Sequence, residues 1–190
     1  MQSLLVRCAL ALAGAVALAP AARADDAMWK LLQGGGQVVL MRHALTDPGV
    51  GDPEGMRLDD CATQRNLSAQ GIAHARRIGD AWRERKAPVG RVLASPWCRT
   101  LETARLAFGG APQPAPALGN VFGRPEAVAR QVAQMKLLVG EKPRAGNTVM
   151  VSHGSTIHAL TGVSPDTGEM VVLTPAGAGG FRVAGRITVD

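Results

Sequence analysis

Arg42 and His43 follow one short apolar run of this 190-residue chain, Ser95 through Arg99 follow a second, and His153 and Gly154 follow a third. These residue types suit a phosphoryl oxyanion. Guanidinium offers paired N–H donors matched to phosphate oxygens, which ammonium does not. A neutral imidazole is a competent nucleophile, forming a covalent intermediate that water then opens. A second imidazole, if protonated, adds a charged donor where negative charge accumulates. Backbone N–H groups of Gly154 and Ser155, opening a helix, offer a further anion contact. The set predicts in-line phosphoryl transfer, which depends mainly on positioning and charge stabilisation. No acid cluster at metal-ligand spacing accompanies it, so neither a metal nor another cofactor is expected.

Such residues work together only if one fold gathers them. Gln37–Met41, Arg91–Ala94 and Asn147–Ser152 read as short buried strands. Ser68 caps a helix running to about Lys86, with Ile72, Ala75, Ile78, Gly79 and Trp82 on one side and Pro88 beyond its end. Further helices are expected over Arg99–Phe108, closed by Gly109-Gly110, over Pro125–Val139, with proline in its first turn, and over Ser155–Leu160. Alternate prolines make Ala111–Leu118 an extended loop. Glu169–Leu173 and Phe181–Val189 read as two strands joined through a Gly/Ala-rich turn. Apolar strands alternating with helices predict an α/β fold: a three-layer α/β/α sandwich around a mainly parallel central sheet. The ligand crevice of such a sheet lies beyond the carboxyl ends of its strands. Arg42, His43, Arg99 and His153 all fall there.

The remaining signals set the context. Met1–Ala24 carries an early arginine, an apolar run from Ala9 to Ala19 and an Ala22-Arg23-Ala24 ending. It reads as a removable secretory signal, too short in its apolar part to span a membrane. Periplasmic or secreted location follows, with no stable membrane insertion after cleavage. A net charge of +6 can steer anions. The absence of tyrosine and of any Lys/Arg run gives no reason to expect a nucleic-acid partner. Beyond the leader the cysteines are Cys61 and Cys98. In an oxidising compartment they form either a disulfide or two buried thiols. His74 reads as structural, and Thr46 and Asn66 as either turn residues or groups close to the phosphate.

Four segments, in order, resemble the histidine phosphatase superfamily, the phosphoglycerate-mutase-like proteins. Met41-Arg42-His43-Ala44 is similar to its Arg-His-Gly signature, and Arg65-Asn66-Leu67-Ser68-Ala69-Gln70-Gly71 to its Leu-Thr-x-x-Gly helix start. Ser95-Pro96-Trp97-Cys98-Arg99-Thr100 with Glu102-Thr103-Ala104 resembles its Ser-x-x-x-Arg-x-x-x-Thr-Ala segment, and Val151-Ser152-His153-Gly154 its second-histidine motif. The resemblance spans Gln37 to Leu173 and implies one histidine phosphatase domain over 25–190. It implies a metal-independent phosphatase that passes through a phosphohistidine on His43. Arg42, Arg99, His153 and the Gly154 amide would hold the phosphoryl oxygens of a small phosphorylated substrate, a phosphosugar being one candidate. Ala44 departs from the family's glycine and adds a methyl group beside the pocket.

A larger departure concerns the proton donor. The family places a carboxylic acid after the second histidine or beyond the second helix. Here Gly154 takes the first position, and Gly109–Pro125 contains neither Asp nor Glu. Glu169 is the preferred substitute, ahead of Glu126 and Glu102, because a strand starting at the crevice would carry it there. Two alternatives follow from the missing acid. One is a phosphatase for phosphohistidine or acyl phosphates, whose leaving groups need little help. The other is a non-catalytic anion or phosphosugar-binding module on the same fold.

Overall fold

The structure, a computed structural model, describes residues 21–190. The leader expected over Met1–Ala24 therefore lies outside the described residues up to position 20. Helix α1 (Ala21–Gln33) crosses the expected cleavage point and is not announced by the sequence pattern. It buries Trp29 and Leu32 in the core, Trp29 meeting Trp82 edge to face at 5.6 Å between ring centres. Among the described residues no helix is long and apolar enough to cross a membrane.

The elements then alternate: β1 (Val38–Arg42), α2 (Ala69–Glu84), β2 (Val89–Ala94), α3 (Cys98–Phe108), β3 (Gln113–Pro114), α4 (Pro125–Gly140), β4 (Asn147–Ser152), α5 (Gly154–Thr161), β5 (Met170–Gly177) and β6 (Gly180–Ile187). The sheet order is β3-β2-β4-β1-β5-β6. The first four strands in that order are parallel, and β5 and β6 pair antiparallel. The continuous apolar runs of β1 and β4 are explained by burial on both faces. Val39, Met41, Val149 and Val151 point to one side, against Trp29, Ile78, Trp82 and Ala104 of α1, α2 and α3. Val38, Leu40 and Met150 point to the other, against Met135, Val139 and Ile157 of α4 and α5. This is the expected three-layer α/β sandwich.

The proline-rich connector differs from a simple loop. Gln113–Pro114 adds a short parallel edge strand and Pro116–Leu118 forms a 3-10 turn. A proline on a sheet edge leaves no outward N–H needing a partner, so the segment can pair on one side. Register brings the chemistry together. Arg42 lies opposite Ser152 on neighbouring parallel strands, so His43 and His153 leave the sheet side by side. Ala94 lies opposite Val151, which places Ser95 next to them.

Candidate active site

His43 is buried, and the hydrogen bonding around it defines its tautomer. Its Nδ1 lies 2.8 Å from the Ala44 carbonyl oxygen. A carbonyl only accepts, so Nδ1 carries the hydrogen and Nε2 keeps its lone pair. Thr103 steadies this arrangement: its hydroxyl accepts from the Ala44 N–H at 3.1 Å and donates to the Arg99 carbonyl at 2.7 Å. The loop after β1 is thereby tied to α3. It is also pressed against α2, where a side chain at Gly71 would overlap the Leu45 carbonyl. Ser68 caps α2 by accepting from the Gly71 N–H at 3.1 Å. The Ala44 methyl packs with Leu67 and Ala75 rather than lining the pocket.

His153 sits against His43, with 5.4 Å between ring centres. Arg99 Nη2 approaches its Nδ1 at 3.4 Å and can only donate. His153 Nε2–H therefore donates to Ser95 Oγ at 2.8 Å. Burial pushes both imidazoles below their ordinary pKa, His43 to about 3, and nearby Arg99, Arg42 and Arg65 add to the effect. Held well below its ordinary value, His153 is neutral near pH 7. A bound phosphoryl anion would raise both values by attraction.

Arg42, His43, Arg65, Arg99, His153 and Gly154 line a cavity of about 490 Å³, with Asn120, Phe122, Ser155 and His158 farther around its wall. Arg42 crosses the start of α5: a Cβ at Gly154 would stand 3.3 Å from its side chain, and Nη1 donates to the Pro165 carbonyl at 3.0 Å. Among the described residues, the buried side-chain polar atoms without a hydrogen-bond partner are Nε of Arg42, Nε of Arg65 and Nε of Arg99. A buried donor left unpaired is costly, and three around one cavity fit an oxyanion with several acceptor oxygens.

Of the residues expected at the site, His43, Arg42, Arg99, His153 and Gly154 are brought together. Glu169 is not. Its buried carboxylate is gripped by Arg186 and accepts from the Asp166 N–H at 2.7 Å, outside the cavity wall. The strand it precedes is antiparallel, and the turn entering it faces Arg186 on β6. Glu126 is exposed, Glu102 half-buried, and neither lines the cavity. Thr46 and Asn66 serve the loop: Thr46 bridges Leu67, and Asn66 donates to the Cys61 carbonyl at 2.7 Å.

Two residues escape sequence reasoning. Arg65 joins the cavity although its place before the Asn66–Ser68 helix start is the only hint. Asp52 has the appearance of turn chemistry between Gly51 and Pro53. In the fold it pairs with Arg99, Nη1 to Oδ1 at 2.6 Å and Nη2 to Oδ2 at 3.1 Å. Cys61 and Cys98 are disulfide-bonded, with Cα atoms 5.7 Å apart. The bridge joins the segment before Arg65 to the first turn of α3, which carries Arg99. Gln64 reinforces it by accepting from the Cys98 N–H at 3.0 Å.

The whole assembly has the histidine phosphatase, phosphoglycerate-mutase-like fold, as its solved neighbours show. The protein histidine phosphatase SixA in complex with tungstate superposes with a TM-score of 0.58 at 19% identity, covering 80% of this chain and 96% of that one. A phosphoserine phosphatase of Entamoeba histolytica, in complex with phosphoserine, gives 0.58 at 12% identity over 79% and 95%. The Rv3214 product of Mycobacterium tuberculosis gives 0.59 at 17% identity over 78% and 95%. No family model and no curated protein sequence matches the chain.

Proposed function

We propose that this protein is an exported phosphatase that hydrolyses small phosphoryl compounds through a phosphohistidine on His43. The observation that carries this reading is the meeting in one cavity of His43, His153 and three arginines whose buried Nε donors lack partners. Nε2 of His43 attacks phosphorus, the bond to the leaving group breaks, and the arginines hold the three equatorial oxygens. Water then attacks the phosphohistidine, freeing phosphate and restoring the imidazole. No step in this scheme calls for a metal. Tungstate and phosphoserine in the structural neighbours support an oxyanion as occupant. The Met1–Ala24 leader pattern and the Cys61–Cys98 bridge support export.

Among the described residues, no Asp or Glu lines the cavity. That favours substrates whose leaving group departs without a proton, such as phosphohistidine and acyl or aryl phosphates, over alkyl phosphates and phosphosugars. A non-catalytic binding module is disfavoured because such a module has no use for a His43 tautomer with a free Nε2. The test is turnover of an aryl phosphate in the presence of a chelator, with His43→Ala as control. Turnover should fall about 10³-fold or more in the variant, and acid-labile phosphate should be trapped on His43 in the parent. Wild-type rates in His43→Ala would exclude the mechanism.

A further inference from the structure

We propose that Asp52 is the positioning residue of this site: it grips Arg99 by the end of its guanidinium and turns the side edge, Nε and Nη2, toward the phosphoryl group. The proposal rests on the phosphatase reading above. A guanidinium carries five N–H donors in a rigid fork. The Asp52 carboxylate takes one hydrogen from each terminal nitrogen. What remains on the other edge is Nε–H, buried and unpartnered, and a second Nη2–H near His153 Nδ1. Asp52 does not line the cavity, so it acts through Arg99.

The carboxylate is itself held firmly. Trp97 Nε1 donates to Oδ2 at 3.0 Å and the Arg65 N–H to Oδ1 at 3.3 Å. Arg99 is 1% exposed and the Asp52 side chain 10%. An anion so surrounded is fixed structure rather than a plug that swings away. It also sets the charge of the site. With both histidines neutral, three guanidiniums and one carboxylate leave a formal +2. A phosphomonoester near neutral pH carries about −1.5 to −2. Without Asp52 the excess positive charge would hold the phosphate product too tightly while Arg99 lost its aim.

The test compares the full chain with Asp52→Asn and Asp52→Glu, using calorimetric titration with inorganic phosphate and steady-state turnover of nitrophenyl phosphate. Asp52→Asn should bind phosphate roughly 3- to 10-fold more tightly, while kcat falls about 10- to 100-fold. Asp52→Glu keeps the charge but displaces the grip, so kcat should fall in the same range with phosphate affinity near the parent's. It also stands in should Asp52→Asn fail to fold. A purely structural Asp52 would lower the melting temperature and leave kcat per folded molecule intact, which overturns the proposal. Turnover above the parent's in Asp52→Asn overturns it too, by making the carboxylate a plug. If the parent binds no phosphate and turns nothing over, the phosphatase reading fails and this proposal with it. Normal binding and turnover in the parent with unchanged kcat in both variants sinks the proposal alone.

Discussion

Arg99–Asp52 and Arg186–Glu169 are two two-pronged arginine–carboxylate pairs in one molecule, with opposite meanings. In the first, the arginine is buried and the aspartate largely so, and the arginine, which lines the cavity, keeps an unpaired Nε. In the second, Glu169 is buried but Arg186 is half-exposed, and its Nε and Nη2 both go to the carboxylate. The Arg186 side edge is spent on Glu169, whereas the Arg99 side edge is free because Asp52 takes the end. Burial and residue type are therefore poor guides to function here. The leftover donor is the better one.

The comparison can be broken most directly at the arginines. Arg99→Ala should lower kcat/KM for an aryl phosphate about 10²- to 10³-fold, the usual loss for one oxyanion donor. Arg186→Ala should leave it within about twofold; equal losses in steady-state assays would erase the distinction. The next effect tests what keeps the Arg99 side rigid. Replacing both Cys61 and Cys98 by serine should cost roughly 3–4 kcal/mol in denaturant unfolding, given the 37-residue separation that the bridge closes.

Acid should weaken the region around the cavity through its histidines. His43 has a folded pKa near 3 against 6.5 when unfolded, so between those values the unfolded chain binds more protons. Stability is then fully present above about pH 6.5 and is lost as pH falls toward 3. The contribution of His43 alone should shrink by about 2 kcal/mol at pH 5, and His43→Asn should flatten that slope in urea titrations at pH 7 and 5. The smallest effect belongs to the other pair. Glu169→Gln should cost about 1–2 kcal/mol of stability and leave the ratio of aryl to alkyl phosphate turnover unchanged. A selective loss on alkyl phosphates would restore Glu169 as proton donor.

Much of the fold is legible from local pattern. The runs Val38–Met41 and Val149–Val151 are continuously apolar because both sheet faces are covered, and Ser68 and Gly71 mark a helix start that must lie close to Leu45. Helix α1 is not legible, because its apolar residues merge with a leader-like segment of similar composition. Asp52 is hidden for a different reason. A Gly-Asp-Pro turn explains itself locally, and nothing in its spacing reveals a partner 47 residues away.

What the amino-acid sequence determined by itself was the set of strand-end groups, Arg42, His43, Arg99 and His153, because strand periodicity and topology send such ends to one edge of a parallel sheet. What tertiary structure alone decided was how each group is presented. The His43 tautomer depends on the Ala44 carbonyl, the free edge of Arg99 depends on Asp52, and the exclusion of Glu169 depends on Arg186 reaching it first. Each of these is a hydrogen-bond competition between residues distant along the chain or set by local backbone geometry, and only the folded arrangement determines which partner wins.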